Sequence, residues 1–420
     1  MTKGERQLRA LNAQLRAIYP GNAFYHDALE SAGLTEGVQS LDHFRQACPF
    51  TTKEDLSRDQ AAHPPYGTAH TYPLEHYTRF HRTSGTTGRP LYWLDTDASW
   101  RWNLENWQQV LAHAGAGPGT VALFTFSFGP FLGFWAAFEA AAAAGLRCLP
   151  GGGLSTQARL EMIAGHGVEL LCCTPTYALH LIETASQAAL DLRRSRLRTI
   201  IVGGEPGGSL PALRQRIGDL LPDVRLFDHH GMTEIGPVSY EDPDHPGRLR
   251  LLEDRFIIEV IDPQTTQPAV PGSEGELVLT NLGRTACPLL RYRTGDFVRP
   301  VLLGEGDWDT APVALEGGIL GRVDDMVVVR GVNLYPSAVD EVIRGMKGAG
   351  EYQVHVRQHG AMADLAIRIE PLGPGTDPVD LCARLQSALR DAFALRIDVE
   401  MAEPGSLPRF EMKARRWNRV

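Results

Sequence analysis

From residue 120 to residue 221 the chain alternates short apolar runs with helix-length segments, and that alternation leaves few folds open. Thr120–Phe126 reads as a strand, Leu132–Ala144 as a helix, Leu146–Leu149 as a short strand and Thr156–Ala164 as a helix. Val168–Cys173 follows as strand, Tyr177–Ala188 as helix, Thr199–Val202 as strand and Leu210–Leu221 as helix. Short strands joined by such helices make right-handed βαβ crossovers and a mostly parallel sheet. Ligands of these sheets sit beyond the strand C-termini. After residue 250 the pattern changes to strands with turn punctuation, Phe256–Ile261 and then Glu276–Thr280 behind Pro271-Gly272. This predicts a second, more antiparallel subdomain. Beyond Gly321–Asp325 come a strand at Met326–Val329, a helix at Pro336–Arg344, strands at Gln353–Arg357 and Leu365–Ile369, and a helix at Pro378–Ala392. The expected fold class is α/β. Residues 1–320 form a large N-terminal domain, with mostly parallel sheets flanked by helices plus a β subdomain. Residues 321–420 form a small mobile α+β C-terminal domain.

Composition excludes several function classes. A hydrophobic share of 43% with 22% charged residues describes an ordinary soluble protein. The net charge of −9 argues against a nucleic-acid surface, and Arg415-Arg416 is a pair, not a patch. Phe128 to Leu146 is apolar apart from Glu139 and nearly long enough to span a membrane. Gly129-Pro130 interrupts its start and Gly145 stops its alanine run, which predicts a buried helix instead. The six cysteines form no Cys-x-x-Cys pair, and Cys172-Cys173 lie in an apolar run, so core packing in a reduced compartment is expected. The polar start, Met1 to Arg6, has no apolar segment of a secretory signal, and the expected location is cytoplasmic.

Chemistry is concentrated in a few short motifs. Thr83-Ser84-Gly85-Thr86-Thr87-Gly88 combines hydroxyl donors with two glycines that let backbone N–H groups converge on an anion. That suits a triphosphate, although the Gly-x4-Gly-Lys-Ser/Thr spacing of a Walker A loop is absent. A flexible surface loop is the alternative. Downstream, in order, stand Gly203-Gly204-Glu205-Pro206, Asp228-His229-His230-Gly231-Met232-Thr233-Glu234, Tyr292-Arg293-Thr294-Gly295-Asp296, Gly321-Arg322-Val323-Asp324-Asp325, Arg330-Gly331 and Glu411-Met412-Lys413-Ala414-Arg415-Arg416. This ordered set resembles the adenylate-forming (acyl-activating, AMP-binding) superfamily. Phe50-Thr51-Thr52-Lys53-Glu54-Asp55-Leu56 and Thr174-Pro175-Thr176-Tyr177 are similar to stretches typical of its phenylacetate–CoA ligase branch. The resemblance spans about residues 24–416.

The resemblance implies an ATP-dependent acid–CoA ligase that uses ATP, Mg²⁺ and CoA. It implies that Thr83–Gly88 embraces the β- and γ-phosphates and that Gly204, Glu205 and Pro206 line the adenine slot. Asp228, His229, His230 and Gly231 belong to the same ATP site, with Thr233 at the α-phosphate and Glu234 holding Mg²⁺. His230 replaces the usual aromatic residue beside adenine. Asp296 would accept both ribose hydroxyls, helped by Arg322, although an Asp in a Thr-Gly-Asp run is otherwise a routine turn residue. Lys413 would carry adenylation as a cation bridging the carboxylate and the α-phosphate, with Thr233 and Glu234 as its catalytic companions. Met412 stands where the family has glycine. Asp324 would be the hinge, and Arg330-Gly331 the CoA side.

The acid pocket is implied at Phe126, Phe128, Phe131, Trp135, Tyr177 and Gly203. The cluster Phe126, Phe128, Phe131, Phe134 and Trp135 suits an aryl carboxylic acid, with core packing as the alternative for two or three of the rings. Two further readings stay open. One keeps adenylation but passes the acyl group to a carrier-protein phosphopantetheine or an amine, and the other is an inactive AMP-binding scaffold. A homodimer is possible by the same resemblance.

Overall fold

The computed structural model describes residues 1–83, 89–126, 128–323, 325–330, 332–359, 362–373, 375–410 and 414–419. Its centre is a five-stranded, all-parallel sheet. The strands lie in the order Arg147–Pro150, Val121–Phe124, Leu170–Cys173, Thr199–Val202 and Arg225–Asp228. The strand order reverses between Val121–Phe124 and Leu170–Cys173, which creates a switch point at their C-terminal ends.

Alternate residues of these strands feed two cores, as the period of two requires. Leu123, Leu171, Cys173, Ile200 and Val202 pack with Leu160, Tyr177, Leu181 and Leu213 from helices Thr156–Gly165, Pro175–Gln187 and Pro211–Leu220. Ala122, Phe124, Cys172, Ile201 and Phe227 face the other way, against Trp100, Trp107, Leu132 and Ala136 from helices Asp97–His113 and Leu132–Ala143. Cys172 and Cys173 thus go to opposite cores, where burial pushes both thiols up in pKa. The long apolar segment is the helix Leu132–Ala143, buried through Leu132, Ala136, Ala137, Ala140 and Ala141. Among the described residues no helix is long and apolar enough to cross a membrane.

The second sheet has six antiparallel strands, ordered Ser239–Glu241, Arg248–Leu251, Val313–Arg322, Tyr292–Leu302, Gly275–Asn281 and Phe256–Ile261. Helices Lys3–Ile18, Ala23–Ser31 and Leu41–Ala47 close over Ile257, Leu282 and Leu290 beside it. Thr294-Gly295-Asp296 is not the chain reversal its composition suggests. It lies inside the strand Tyr292–Leu302 as a bulge, because Glu276 faces Phe297 while Val278 faces Arg293. Gly295 supplies the left-handed backbone there, at φ +74°.

The third sheet runs Val332–Leu334, Val327–Val329, Met362–Pro371, Ala349–His359 and Trp417–Arg419, with Asp398–Met401 paired to Met362–Pro371. Helices Pro336–Gly345 and Pro378–Phe393 pack on it through Val339, Ile343, Leu381 and Leu385. The first of these helices also meets Pro211–Leu220: the Ala212 N–H donates to the Glu341 carboxylate at 3.1 Å, and Arg216 donates to the Ala349 carbonyl at 3.1 Å. The third sheet is therefore seated against the central one.

Candidate active site

The bulge aims Asp296 at a strand neighbour. Asp296 and Arg322 are direct cross-strand partners, and Arg322 Nη1 donates to Asp296 Oδ1 at 3.2 Å. His230 Nε2 donates to Oδ2 at 2.9 Å, so a carboxylate only 4% exposed draws together three separate motifs. Around it opens a cleft lined by Gly204, Glu205, Pro206, Asp228, His229, His230, Gly231, Asp296 and Arg322, with Met232, Ser209 and Ile319 filling the wall. The cleft lies at the C-terminal ends of strands Thr199–Val202 and Arg225–Asp228, where an α/β sheet presents its loops.

The back wall is polar and braced. Ser209 Oγ donates to Asp228 Oδ2 at 2.5 Å, and the Asp228 N–H donates to Glu241 at 2.6 Å. Arg214 grips Glu241 in turn with both terminal nitrogens. Burial pushes the Asp228 carboxyl up to about 6. His229 donates from Nδ1 to the Ser239 carbonyl at 2.7 Å and packs on the Trp107 ring, and burial pushes its pKa down to about 4.

Thr233 and Glu234 form the turn between Gly231–Met232 and Gly236–Pro237. What fixes that turn is a residue absent from every motif. Arg284 donates to the Thr233 carbonyl at 3.2 Å and to the Glu234 carbonyl at 2.8 Å. Its remaining nitrogens meet Asp95 at 2.9 and 2.7 Å in a two-point pair whose side chains are both 0% exposed. The Tyr292 hydroxyl feels the charges of Glu234, Arg322 and Asp296, and its ionisation is suppressed by burial first and by Glu234 next. Glu234 and the Asp296 pair thus both lie near Tyr292. Among the described residues no cluster of three or more His, Cys, Asp or Glu side chains is placed to hold a metal.

Other expected site residues fall elsewhere. Thr83 closes the neck of its loop: its N–H donates to the Leu91 carbonyl, and its hydroxyl accepts from the Leu91 N–H, each at 2.9 Å. Ser84, Gly85, Thr86, Thr87, Gly88, Asp324, Gly331, Met412 and Lys413 lie outside the described residues. Arg330 is exposed and pairs with Asp364, not with the cleft. Tyr177 is fully buried in the core across the sheet from Phe126, with its ring under Arg159, because helix packing claims the residue. Phe126 is stacked on Phe134 at 4.2 Å, a core pairing. Phe128 meets Trp135 and Phe138 edge-on, Phe131 meets Phe134, and Trp135 remains 38% exposed. Gly203 sits tight against the His229 carbonyl, where an added Cβ would lie 2.8 Å away. None of these six lines the cleft. Phe126 and Thr174 instead follow the two strands of the switch point.

Two tests follow. Arg284→Met strands the Asp95 charge in the core and should cost about 3–5 kcal/mol in urea unfolding. Arg284→Lys keeps the charge but not the four-point geometry, so it should recover part of that stability yet lower turnover at least about tenfold. His229, neutral when folded until about pH 4 but protonated near its ordinary 6.5 when unfolded, stabilises the fold above 6.5 and loses that contribution as pH falls toward 4. Asp228 has the opposite sign, so the comparison is with a variant. Between pH 7 and pH 5, His229→Gln should lose about 2 kcal/mol less than wild type.

Family models match both parts of the chain: AMP-binding enzyme over residues 49–284, and AMP-binding enzyme C-terminal domain over residues 331–418. Phenylacetate-coenzyme A ligase of Thermus thermophilus is 31% identical over 431 residues, covering 96% of this chain and 94% of that one. The enzyme of the same name from Escherichia coli is 30% identical over 428 residues, covering 97% and 94%. Among solved structures, 2-hydroxyisobutyryl-CoA ligase with 2-HIB-AMP in the postadenylation state is similar at TM-score 0.90 and 27% identity, covering 98% of this chain and 88% of that chain. The same ligase with 2-HIB-AMP and CoA in the thioesterification state is similar at TM-score 0.71 and 27% identity, covering 99% and 90%. On both halves and over its full length, the chain belongs to the AMP-binding, adenylate-forming enzymes, in their phenylacetate–CoA ligase-like branch.

Proposed function

We propose that this AMP-forming acid–CoA ligase activates an aryl carboxylic acid as its acyl-adenylate and transfers the acyl group to CoA. In the first step a carboxylate oxygen attacks the α-phosphorus of ATP and pyrophosphate leaves. In the second the CoA thiol sulfur attacks the acyl carbon, the thiol proton is lost and AMP leaves. The observation that carries this reading is the convergence of the Arg284-braced Thr233–Glu234 turn with the Asp296–Arg322 pair beside one cleft.

In this reading Gly204–Pro206 takes the adenine and Asp296 with Arg322 takes the ribose, exchanging present partners for hydroxyls. Thr233 contacts the α-phosphate and the Thr83–Gly88 loop the outer phosphates. Glu234, 9% exposed at its turn, fits Mg²⁺ as a single hard oxygen ligand, the rest coming from phosphate and water. The ion when bound would neutralise charge on the phosphates. Lys413 neutralises the developing negative charge between acid and nucleotide, and Asp324 is the hinge of a mobile unit from residue 321.

The aryl acid is supported by the rings grouped beyond the switch point, next to the Arg82 N–H that donates to the Pro130 carbonyl at 2.7 Å and so joins that segment to the phosphate loop. The segment 126–135 carries no Lys or Arg to meet a second charge on the acid. The test is conversion of ATP to AMP across aryl and aliphatic acids, with and without CoA, products read by mass. Aryl-dependent thioester formation is expected. AMP or pyrophosphate exchange with no thioester would replace CoA by another acceptor. Lys413→Ala should slow pyrophosphate exchange at least about 100-fold, while a supplied aryl-adenylate still reacts with CoA.

A further inference from the structure

The Glu205 carboxylate has a second set of partners that nucleotide binding does not explain. Oε1 accepts the Thr176 N–H at 2.9 Å, and Oε2 accepts the Ala414 N–H at 2.8 Å. Thr176 stands in the first turn of the helix Pro175–Gln187, capped by Thr174, where unsatisfied N–H groups favour an anion. Ala414 belongs to the C-terminal tail. Two residues on, Arg416 donates to Thr176 Oγ1 at 3.3 Å, so the tail meets Thr176 directly at Arg416 and through Glu205 at Ala414.

That segment is firmly tied to the third sheet. Arg416 is 7% exposed, forms a two-point pair with Glu351 and lies over the Tyr352 and Phe410 rings. Its carbonyl accepts the Val354 N–H, and Trp417–Arg419 then joins the sheet beside Val354. The tail is thus anchored to one unit at Arg416 and handed to the other at Ala414.

We propose that Glu205 is a positioning residue, a two-oxygen latch between Thr176 and Ala414 that holds the tail at the nucleotide for adenylation and opens for thioester formation. This rests on the reading of Lys413 as the adenylation cation. Lys413 precedes Ala414 in the chain, and one Cα–Cα step spans about 3.8 Å. Glu205 also borders the cleft proposed for the nucleotide, so the latch holds Ala414 beside that cleft. The latch is closed in an arrangement that matches the postadenylation state of 2-hydroxyisobutyryl-CoA ligase at 0.90 and its thioesterification state at 0.71.

Both partners of Glu205 are N–H donors, so the latch needs two acceptor oxygens. Glu205→Gln offers one, and turns an NH₂ toward a donor. The test measures pyrophosphate exchange and, separately, thioester formation from supplied aryl-adenylate and CoA. Glu205→Gln should raise the ratio of thioesterification to adenylation about tenfold by lowering the exchange kcat. Thr176→Val, outside the cleft, removes only the Arg416 contact and should shift the ratio the same way, about threefold. It carries the test if the first variant does not fold. An unchanged ratio in both variants, or a raised KM for ATP with exchange kcat kept, overturns the latch. A wild-type enzyme without exchange on any acid overturns the ligase reading itself, and the latch with it.

Discussion

A single guanidinium buried out of reach of water orders the candidate active site. Arg284 is held by Asp95, and both are completely enclosed, so the charges cannot be screened or shared with solvent. Such a pair is a poor source of stability, since desolvation consumes much of the attraction. Its value is directional. A guanidinium has five donors in a rigid plane; two are used on Asp95, and another nitrogen reaches the Thr233 and Glu234 carbonyls. Asp95 belongs to the strand Tyr92–Thr96 of the hairpin that also bounds the Thr83 loop. The hairpin that carries Thr83 and the Thr233–Glu234 turn are thereby set against one another.

The other half of the site depends on sheet geometry. Asp296 and Arg322 meet because two long strands bring them opposite one another, and because a bulge at Gly295 adds residues at that point. Arg322 ends the strand from which the chain passes to the third sheet. The ribose carboxylate proposed here therefore reads both the nucleotide motif, through His230, and the exit to the smaller unit, through Arg322.

What was legible in the sequence followed from distance along the chain. Strands Thr199–Val202 and Phe256–Ile261 have the bounds their apolar pattern implies, whereas the helix expected from Tyr177 starts at Pro175 behind a Thr174 cap. Site residues carried in contiguous motifs, such as Gly204–Pro206 and Asp228–Gly231, line one cleft. Arg284 and Asp95 are 189 residues apart, and nothing local marks Arg284. Asp95 offered only a faint sign, a carboxylate just after Trp93-Leu94. Thr294–Asp296 has the composition of a turn, and the pairing that makes it a strand comes from residues 276–278 and 322, far along the chain. The aromatic run divides in a way its spacing left open: Phe126 and Phe134 stack on one another, which is the core packing expected for two or three of its rings.

The strand order of the central sheet has an evolutionary consequence. The cleft proposed for the nucleotide grows from strands Thr199–Val202 and Arg225–Asp228, whereas the ring cluster grows from Val121–Phe124, at the switch point. In the proposed reading, energy source and cargo are thus assigned to different strand ends of one scaffold. If the proposed reading holds, a descendant gene can exchange the rings after Phe124, and with them the acid, while inheriting the proposed nucleotide cleft intact.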